Sequence, residues 1–202
     1  MPQLSKQTRP EFAALDRHRI VELLEGDIAA IQQLYDANPE YSQIVLGRAP
    51  RDGDAQHEFH DRPPVEFPME RKFMLGFVDA DEELLGVAEI VSDLFAKSVW
   101  HIGLFLVATN QHGNGLAHKF YKAIELAMHA NGAHWLRLGV VADNARGVRF
   151  WQRCGFRQLR VREDYALGDR RHTLLVMVKP LAGGGVPAYL ALVERDRPAS
   201  SG

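Results

Sequence analysis

The sequence predicts an α/β (α+β) protein built on one mixed β-sheet flanked by helices. The chain has 202 residues, of which 46% are hydrophobic and 25% are charged, as in an ordinary globular domain with enough apolar surface for a core. Segments typical of strands and helices alternate in the second half, which indicates a parallel strand pair joined by a helical crossover. Hairpin-like segments on either side make the sheet mixed.

The first half predicts a strand, a helix and a long loop. The strand covers His18–Leu24, and Asp27 is expected to cap a helix through Asp36 or Ala37. From Pro39 to Pro68 the sequence is rich in proline and charge and has little periodicity. It predicts a long irregular loop with at most one short helix, which in a compact domain usually has a functional reason or is partly disordered.

The second half predicts a regular succession of strands and helices. The strands form one antiparallel hairpin, a strand buried on both faces, one further strand and a final pair around a charged hairpin at Glu163–Arg171. They cover Arg71–Val78, Leu84–Val91, Val99–Ala108, His134–Val141, Phe156–Val161 and Thr173–Val178. One helix opens at Leu116 and stops at Asn131-Gly132; a shorter one is capped by Asp143 or Asn144 and ends by Gly155.

We expect one domain over residues 17–181, preceded by an extension (1–16) and followed by a tail (182–202). The tail contains glycine, proline and serine at its ends, but its apolar piece Tyr189–Val193 could dock on the domain or on a second subunit. Either a monomer or a homodimer is compatible with this pattern.

Composition excludes several classes of protein. A net charge of −2 argues against nucleic acid as a partner, because phosphate-driven affinity needs a basic surplus. No apolar run approaches the roughly 18 residues of a membrane span. The single cysteine, Cys154, excludes an internal disulfide framework and a multi-cysteine zinc site. Residues 1–16 show no apolar signal region, so a cytoplasmic location is expected.

A turn with two glycines, Gly113 and Gly115, joins a hydrophobic strand to the helix that opens at Leu116. Glycines allow close backbone approach, and free amides at a helix start attract anions, so this turn could hold a pyrophosphate. A P-loop would continue Lys-Ser/Thr after Gly115, and a dinucleotide fingerprint would place glycine or alanine at His118; neither fits. A tight turn without a ligand is the alternative.

The segment Asn144–Phe156 resembles the second signature of the GCN5-related N-acetyltransferase (GNAT) superfamily, Asn-x-x-Ala-x-x-aromatic/aliphatic-Tyr-x-x-x-Gly-Phe. The glycine turn resembles the pyrophosphate loop of the same superfamily, Gln/Arg-x-x-Gly-x-Gly/Ala, with His112, Gly115 and Ala117 at the motif positions. One helix and one strand separate the two motifs, as in that superfamily, and the resemblance covers roughly residues 21–181.

The resemblance implies a GNAT-like twisted sheet in which the strands Val99–Ala108 and His134–Val141 splay apart. The pantetheine arm of acetyl-CoA would lie in that split, the turn amides would hold the pyrophosphate, and the helix after Asn144 would flank the thioester. No metal is implied. The residues expected to bind the cofactor are Leu106, Val107, His112, Gly113, Asn114, Gly115, Leu116, Ala117, Asn144, Arg146, Phe150 and Trp151.

Two departures from the family pattern bear on mechanism. His112 replaces Gln or Arg; a protonated imidazole could contact phosphate, and cofactor affinity would then rise as pH falls. Trp151 stands where many relatives have a tyrosine thought to protonate the leaving thiolate, and an indole N–H cannot act as an acid near neutral pH. The candidate bases are Glu89 and His101, with Asp93 nearby, and Tyr165 is a candidate acid.

The resemblance thus implies an enzyme that moves an acetyl group from acetyl-CoA to a primary amine, of a small molecule in preference to a protein or peptide, by direct attack in a ternary complex. A non-catalytic acyl-CoA-binding or regulatory module is the alternative. The segment His57–Asp61 lacks the spacing of a His-Glu-x-x-His metal motif, so no metal site is expected there.

Overall fold

A computed structural model describes residues 2–197. Its strands are β1 Glu11–Leu15, β2 His18–Glu22, β3 Arg71–Val78, β4 Leu84–Ser92, β5 Val99–Val107, β6 Trp135–Val141, β7 Arg157–Leu167 and β8 Arg170–Pro180. Its α-helices are α1 Ile28–Ala37, α2 Pro39–Val45, α3 Asp54–His60, α4 Leu116–Ala130, α5 Ala145–Arg153 and α6 Val186–Leu192.

The strands form one mixed sheet in the order β1-β2-β3-β4-β5-β6-β8-β7. The pair β5–β6 is parallel and is connected by α4, and the neighbouring pairs are antiparallel. The parallel ladder is short, because only Val99–Ile102 pairs with Trp135–Leu138. Beyond it β5 continues beside β4 and β6 continues beside β8, so the two strands separate.

A β-bulge marks the point of separation. Glu89 of β4 pairs with Leu104 and Ile90 pairs with Ile102, so Gly103 is the extra residue on β5. A bulge bends its strand and increases the local twist. The bend turns the second half of β5 away from β6 and opens the sheet there.

Helices cover both faces of the sheet. Helices α4 and α5 pack on one face, where Phe120, Ile124 and Trp151 join the largest buried cluster. Helix α1 packs on the other face, where Ile31 and Leu34 contact a second buried cluster. The buried residues of α1 therefore form its core-facing side.

The predicted order of strands and helices is confirmed from His18 to the end of β8, including the hairpin β3–β4, the crossover α4 and the splayed strands. Helix α4 ends where predicted, with Gly132 at φ 95°, and α5 is capped by Asn144, which accepts a hydrogen bond from the Gly147 amide at 2.9 Å.

The prediction of a long irregular loop over Pro39–Pro68 is wrong in part. Two short helices, α2 and α3, occupy much of this segment. Helix α2 begins directly at Pro39, because proline is well suited to the first turn of a helix, where its missing amide has no partner to lose. Helix α3 buries Ala55 against α1.

The final hairpin is longer than predicted. Strands β7 and β8 continue through the charged segment Glu163–Arg171 and turn only at Gly168-Asp169. Buried and exposed residues alternate only weakly along β7, because much of this strand is an exposed edge. Charged side chains are typical of such an edge.

Both ends of the chain contribute to the sheet or its cover. Strand β1 lies within the segment predicted as an extension and pairs with β2. Asp27 precedes α1 as expected, but its carboxylate does not cap the helix; it binds Arg9, Ser5 and the Leu24 amide. The predicted tail contains α6, whose Tyr189 packs with Trp135, so the apolar piece docks on the domain; residues 198–202 lie outside the described residues.

Candidate active site

A cavity of about 250 Å³ lies where β5 and β6 separate. One wall is the second half of β5, the other is the second half of β6, and α5 and the glycine turn close one end. Helix α2 and the hairpin β7–β8 close the other side. Residues that line the cavity include Asn38, Tyr41, Val45, Gly103, Phe105, Val107, His112, Ala117, Gly139, Asn144, Arg146, Phe150, Trp151, Leu167 and Leu174.

The glycine turn has the backbone geometry that the sequence predicted. Gly113 and Gly115 have φ of 86° and 82°, a region that other residues adopt only with strain. A Cβ at either position would meet no atom within 4 Å, so the space above the turn is open. The Leu116 amide donates a hydrogen bond to Asn114 Oδ1 at 2.9 Å, so a side-chain acceptor already stands at the start of α4.

His112 lines the cavity, but its surroundings disfavour the protonated imidazole. Its Nε2 lies 2.7 Å from the Val107 carbonyl oxygen and donates a hydrogen bond to it, while its buried Nδ1 has no partner among residues 2–197. Burial and the charge of Arg146 lower the pKa of His112 against the opposing effect of the Val107 carbonyl. This geometry argues against a protonated His112 on phosphate, and it shows that the Val107 carbonyl already has a partner.

Helix α5 supplies an aromatic wall. Phe150 stacks on Phe105 of β5 with ring centroids 5.5 Å apart, and Trp151 meets the same ring edge-on. Trp151 is buried and also contacts Tyr121 and Phe156. Arg146 is exposed and lines the cavity, where it is the one positive side chain among the lining residues described.

Glu89 lies beside the cavity, held by a buried lysine. Lys72 Nζ is 2.6 Å from Glu89 Oε2, and the Lys72 side chain is 3% exposed. A Cβ at Gly103 would overlap Glu89 Oε1, and Gly103 itself lines the cavity. The absent side chain at the bulge therefore leaves room for the carboxylate at the cavity wall.

The other two catalytic candidates do not line the cavity. His101 lies in the paired part of β5, with Nδ1 3.3 Å from the Arg137 guanidinium, which is itself bound to Asp196. Burial, followed by the charge of Arg137, lowers the pKa of His101 to about 3, so it is neutral and packed. Tyr165 is 39% exposed on the edge strand β7. Neither side chain is part of the cavity lining, and a catalytic role for either residue stays a prediction.

Four residues near Glu89 were not among those predicted to act in catalysis or cofactor binding. Glu58 of α3 is within hydrogen-bonding reach of Glu89, and burial together with the charge of Glu89 raises its pKa to about 7. Tyr41 of α2 lines the cavity, and burial raises its pKa. Lys72 is a charged residue inside a hydrophobic strand, and Gly103 a glycine inside another; both are signals that sequence reasoning could have used.

Two negative findings concern residues 2–197 only. There, no group of three or more His, Cys, Asp and Glu side chains is arranged to hold a metal ion. None of the helices in the same range has the length and hydrophobicity to cross a membrane.

Comparisons with known proteins agree with this geometry. A family model described as the acetyltransferase (GNAT) family matches residues 29–156, which run from α1 to the end of the α5 signature. No curated protein matches the sequence.

Solved structures show the same fold at low identity. A spermidine N-acetyltransferase from Vibrio cholerae, in complex with CoA and spermine, is 17% identical with a TM-score of 0.63, covering 82% of this chain and 96% of that one. A GCN5-related N-acetyltransferase from Kribbella flavida is 21% identical with a TM-score of 0.62, covering 82% and 99%. The ribosomal L7/L12 alpha-N-protein acetyltransferase RimL is 12% identical with a TM-score of 0.69, covering 88% and 97%.

Proposed function

Because this chain belongs to the acetyltransferase (GNAT) family, we propose that it transfers an acetyl group from acetyl-CoA to the primary amine of a small molecule. Acetyl transfer follows from the family. The acceptor class and the roles of individual residues are our proposal.

Three features of the cavity support one orientation of the cofactor. The positive-φ glycine turn and the start of α4 offer backbone amides for the pyrophosphate, with Arg146 near the same end. The pantetheine arm then lies between β5 and β6, along Leu106 and Val107, whose strand has lost its β6 partner. Phe150 and Trp151 form the wall beside the thioester, with Asn144 fixing the start of their helix.

The reaction needs a neutral amine. The acceptor ammonium gives up a proton, the amine nitrogen forms a bond to the acetyl carbonyl, and the carbon–sulfur bond then breaks to release the thiol of CoA. Glu89, whose Oε1 lies at Gly103 of the cavity wall, accepts the proton. A free thiol has a pKa near 8.5, so the thiolate leaves without an obligatory acid, in accord with Trp151 at the position of the usual tyrosine.

The proposal of a small-molecule acceptor rests on how one side of the cavity is covered. The segment after α2 is bound to the turn of the hairpin β7–β8: the Asp169 amide donates to the Leu46 carbonyl at 2.9 Å, and His172 Nε2 lies 2.9 Å from the Val45 carbonyl. A Cβ at Gly168 would overlap the Leu46 backbone, so the two segments touch. This bridge covers one side of the cavity, where Val45 and Leu167 line it, and such cover favours a small acceptor over a folded protein.

A panel of acceptors tests the assignment. Release of CoA thiol from acetyl-CoA is followed with diamines and polyamines, amino sugars, amino acids, and N-terminal peptides of ribosomal proteins. We expect at least one small amine to be acetylated with a higher kcat/KM than every peptide. Turnover confined to peptides would overturn the small-molecule assignment, and binding of acetyl-CoA with no turnover at all would favour a non-catalytic module.

Gly115→Val tests the pyrophosphate site. Valine at φ 82° is strained and its side chain stands in the open space above the turn, so we expect the Kd for CoA to rise at least tenfold in calorimetric titration. Gly132→Val is the matched control, since Gly132 has φ 95° and an equally open Cβ position but ends α4 at its far end. Similar CoA affinity in the two folded variants would contradict the site.

A further inference from the structure

Two carboxyl side chains from different elements meet beside the cavity, next to one lysine. Glu58 comes from α3, Glu89 from β4 and Lys72 from β3. We propose that Glu58 and Glu89 act together as a single base that holds one proton between them, with Glu58 positioning that proton and Glu89 facing the acceptor. The inference rests on the proposed function and names a residue beyond it.

The ammonium group of Lys72 makes three polar contacts within this cluster. Lys72 Nζ contacts Glu89 Oε2 at 2.6 Å and also donates to the backbone carbonyl oxygens of Glu58 and Asp61, the latter at 2.8 Å. It thereby fastens the end of α3 over β4. One positive charge therefore faces two carboxyl groups, and the second negative charge lies uncompensated in a largely buried place, which favours retention of a proton.

The groups around the pair act in the same direction. Burial and the negative charge of Glu89 raise the pKa of Glu58, Lys72 opposes them, and Asp61 adds a smaller rise. On the neighbouring helices, Tyr35 of α1 and Tyr41 of α2 are phenols whose pKa is itself raised by burial, so both remain neutral. Glu58 consequently holds a proton to a higher pH than an ordinary glutamate does.

A pair of this kind is a better base than one ordinary carboxylate. With both carboxyls ionised, the pair takes the proton from the acceptor ammonium through Glu89, whose Oε1 lies at the Gly103 wall of the cavity. The amine lone pair then attacks the acetyl carbonyl, and the carbon–sulfur bond breaks as the nitrogen gives up its second proton. That second proton ends on the departing sulfur of CoA, directly or through solvent, and the pair returns the first proton to solvent. Proton transfer is most efficient when the base titrates close to the working pH.

The first test needs neither acceptor nor cofactor. The protein is labelled with carbon-13 at the glutamate side-chain carboxyls and titrated by NMR from about pH 4 to 9, a range that spans ordinary glutamate values. We expect one carboxyl resonance with a midpoint near 7. It should be absent from Glu58→Gln and from Glu89→Gln, and retained in the control Glu66→Gln, which removes an exposed carboxylate.

The proposal is overturned if no glutamate resonance titrates between about pH 6 and 8, or if one persists in both single variants. Lys72→Gln gives an independent check should Glu58→Gln fold poorly. Loss of the positive charge should raise the midpoint by roughly one pH unit. An unchanged midpoint in a folded Lys72→Gln protein also counts against the shared proton.

The second test uses the best amine found in the acceptor panel. The acid limb of the kcat/KM profile of Glu58→Gln should move down by about two pH units, toward ordinary glutamate values, and kcat near pH 8 should fall roughly tenfold or more. A purely structural role for Glu58 would lower activity without moving the limb. If no amine is acetylated but the NMR midpoint near 7 is present, the proposed function fails and the carboxyl pair stands.

Discussion

A glycine at the bulge of β5 gives the proposed base its place. At Gly103 the backbone departs from regular pairing, and the position of the missing Cβ is occupied by the Glu89 carboxylate. The bulge thus coincides with the opening of the sheet, and the glycine admits a side chain from the neighbouring strand. The proposed binding site for acetyl-CoA and the proposed base share a single structural origin.

Gly103→Ala separates these two roles. The added methyl group overlaps Glu89 Oε1, so the carboxylate must shift away from the cavity, and a shift of about 1 Å can reduce a rate by a factor on the order of 100. We expect kcat/KM to fall at least tenfold while the Kd for CoA changes little.

Gly139→Ala is the matched control on the opposite wall of the cavity. There the new Cβ meets only the side chain of Leu174, at 3.1 Å and beyond, which can move aside. Equal losses of kcat/KM in the two variants would show that Glu89 is not the group affected.

Among the elements, the C-terminal segment 186–196 binds to the sheet through Asp196 and is called the clasp here. Asp196 follows α6 and is fully buried; it accepts hydrogen bonds from Arg137 Nε at 2.7 Å, Arg162 at 3.0 Å and the Tyr189 hydroxyl at 2.7 Å. The clasp lies over the same part of the sheet where β5 and β6 still pair, and it holds His101 through Arg137.

Asp196→Ala measures the strength of the clasp. Removal of one member of a buried ion pair costs about 3–5 kcal/mol of unfolding free energy when the partner stays buried. We expect a loss approaching the lower end, since α6 can detach and admit water. Glu194→Ala, which removes a carboxylate from an exposed pair with Arg197, should cost less than about 1 kcal/mol. Urea unfolding at pH 7 gives both numbers.

The difference in unfolding free energy between wild-type protein and Asp196→Ala should shrink as the pH falls. Burial alone raises the pKa of Asp196, but the hydrogen bonds and charge of Arg137 outweigh it and hold the pKa below its usual value of 3.8. The stabilisation is therefore complete well above pH 3.8 and is lost as the pH falls through the lower, folded-state value. Wild-type protein and Asp196→Ala should converge in acid; a constant difference down to about pH 2 would contradict the ion pair.

Across the whole molecule, local patterns predicted the elements better than their contacts. The glycine turn and the Asn144 cap are encoded within a few residues, so the loop and α5 could be identified from the sequence. The helices α2 and α3 were missed because each is seven residues long and owes its stability to packing on α1 rather than to its own periodicity.

The catalytic candidates illustrate the same limit. Glu89 and His101 were both candidate bases on predicted strands, but the neighbours of His101 are distant in sequence: Arg137 and, through it, Asp196. Glu58 could not be assigned a role, because the residues that change its proton affinity, Glu89 and Lys72, lie on other strands. Such interactions depend on tertiary contacts that a linear pattern does not contain.

The short parallel ladder has a consequence for how the protein responds to its cofactor. Four residue pairs between β5 and β6 are the only strand-to-strand register, within residues 2–197, that joins the β1–β5 half to the β6–β8 half. A pantetheine arm that lies between β5 and β6 beyond that ladder would contact both halves of the sheet and connect them, although it is not a peptide strand. Bound cofactor would then help to hold the two halves of the sheet together. Release of CoA would weaken their connection at the stage when the product must leave.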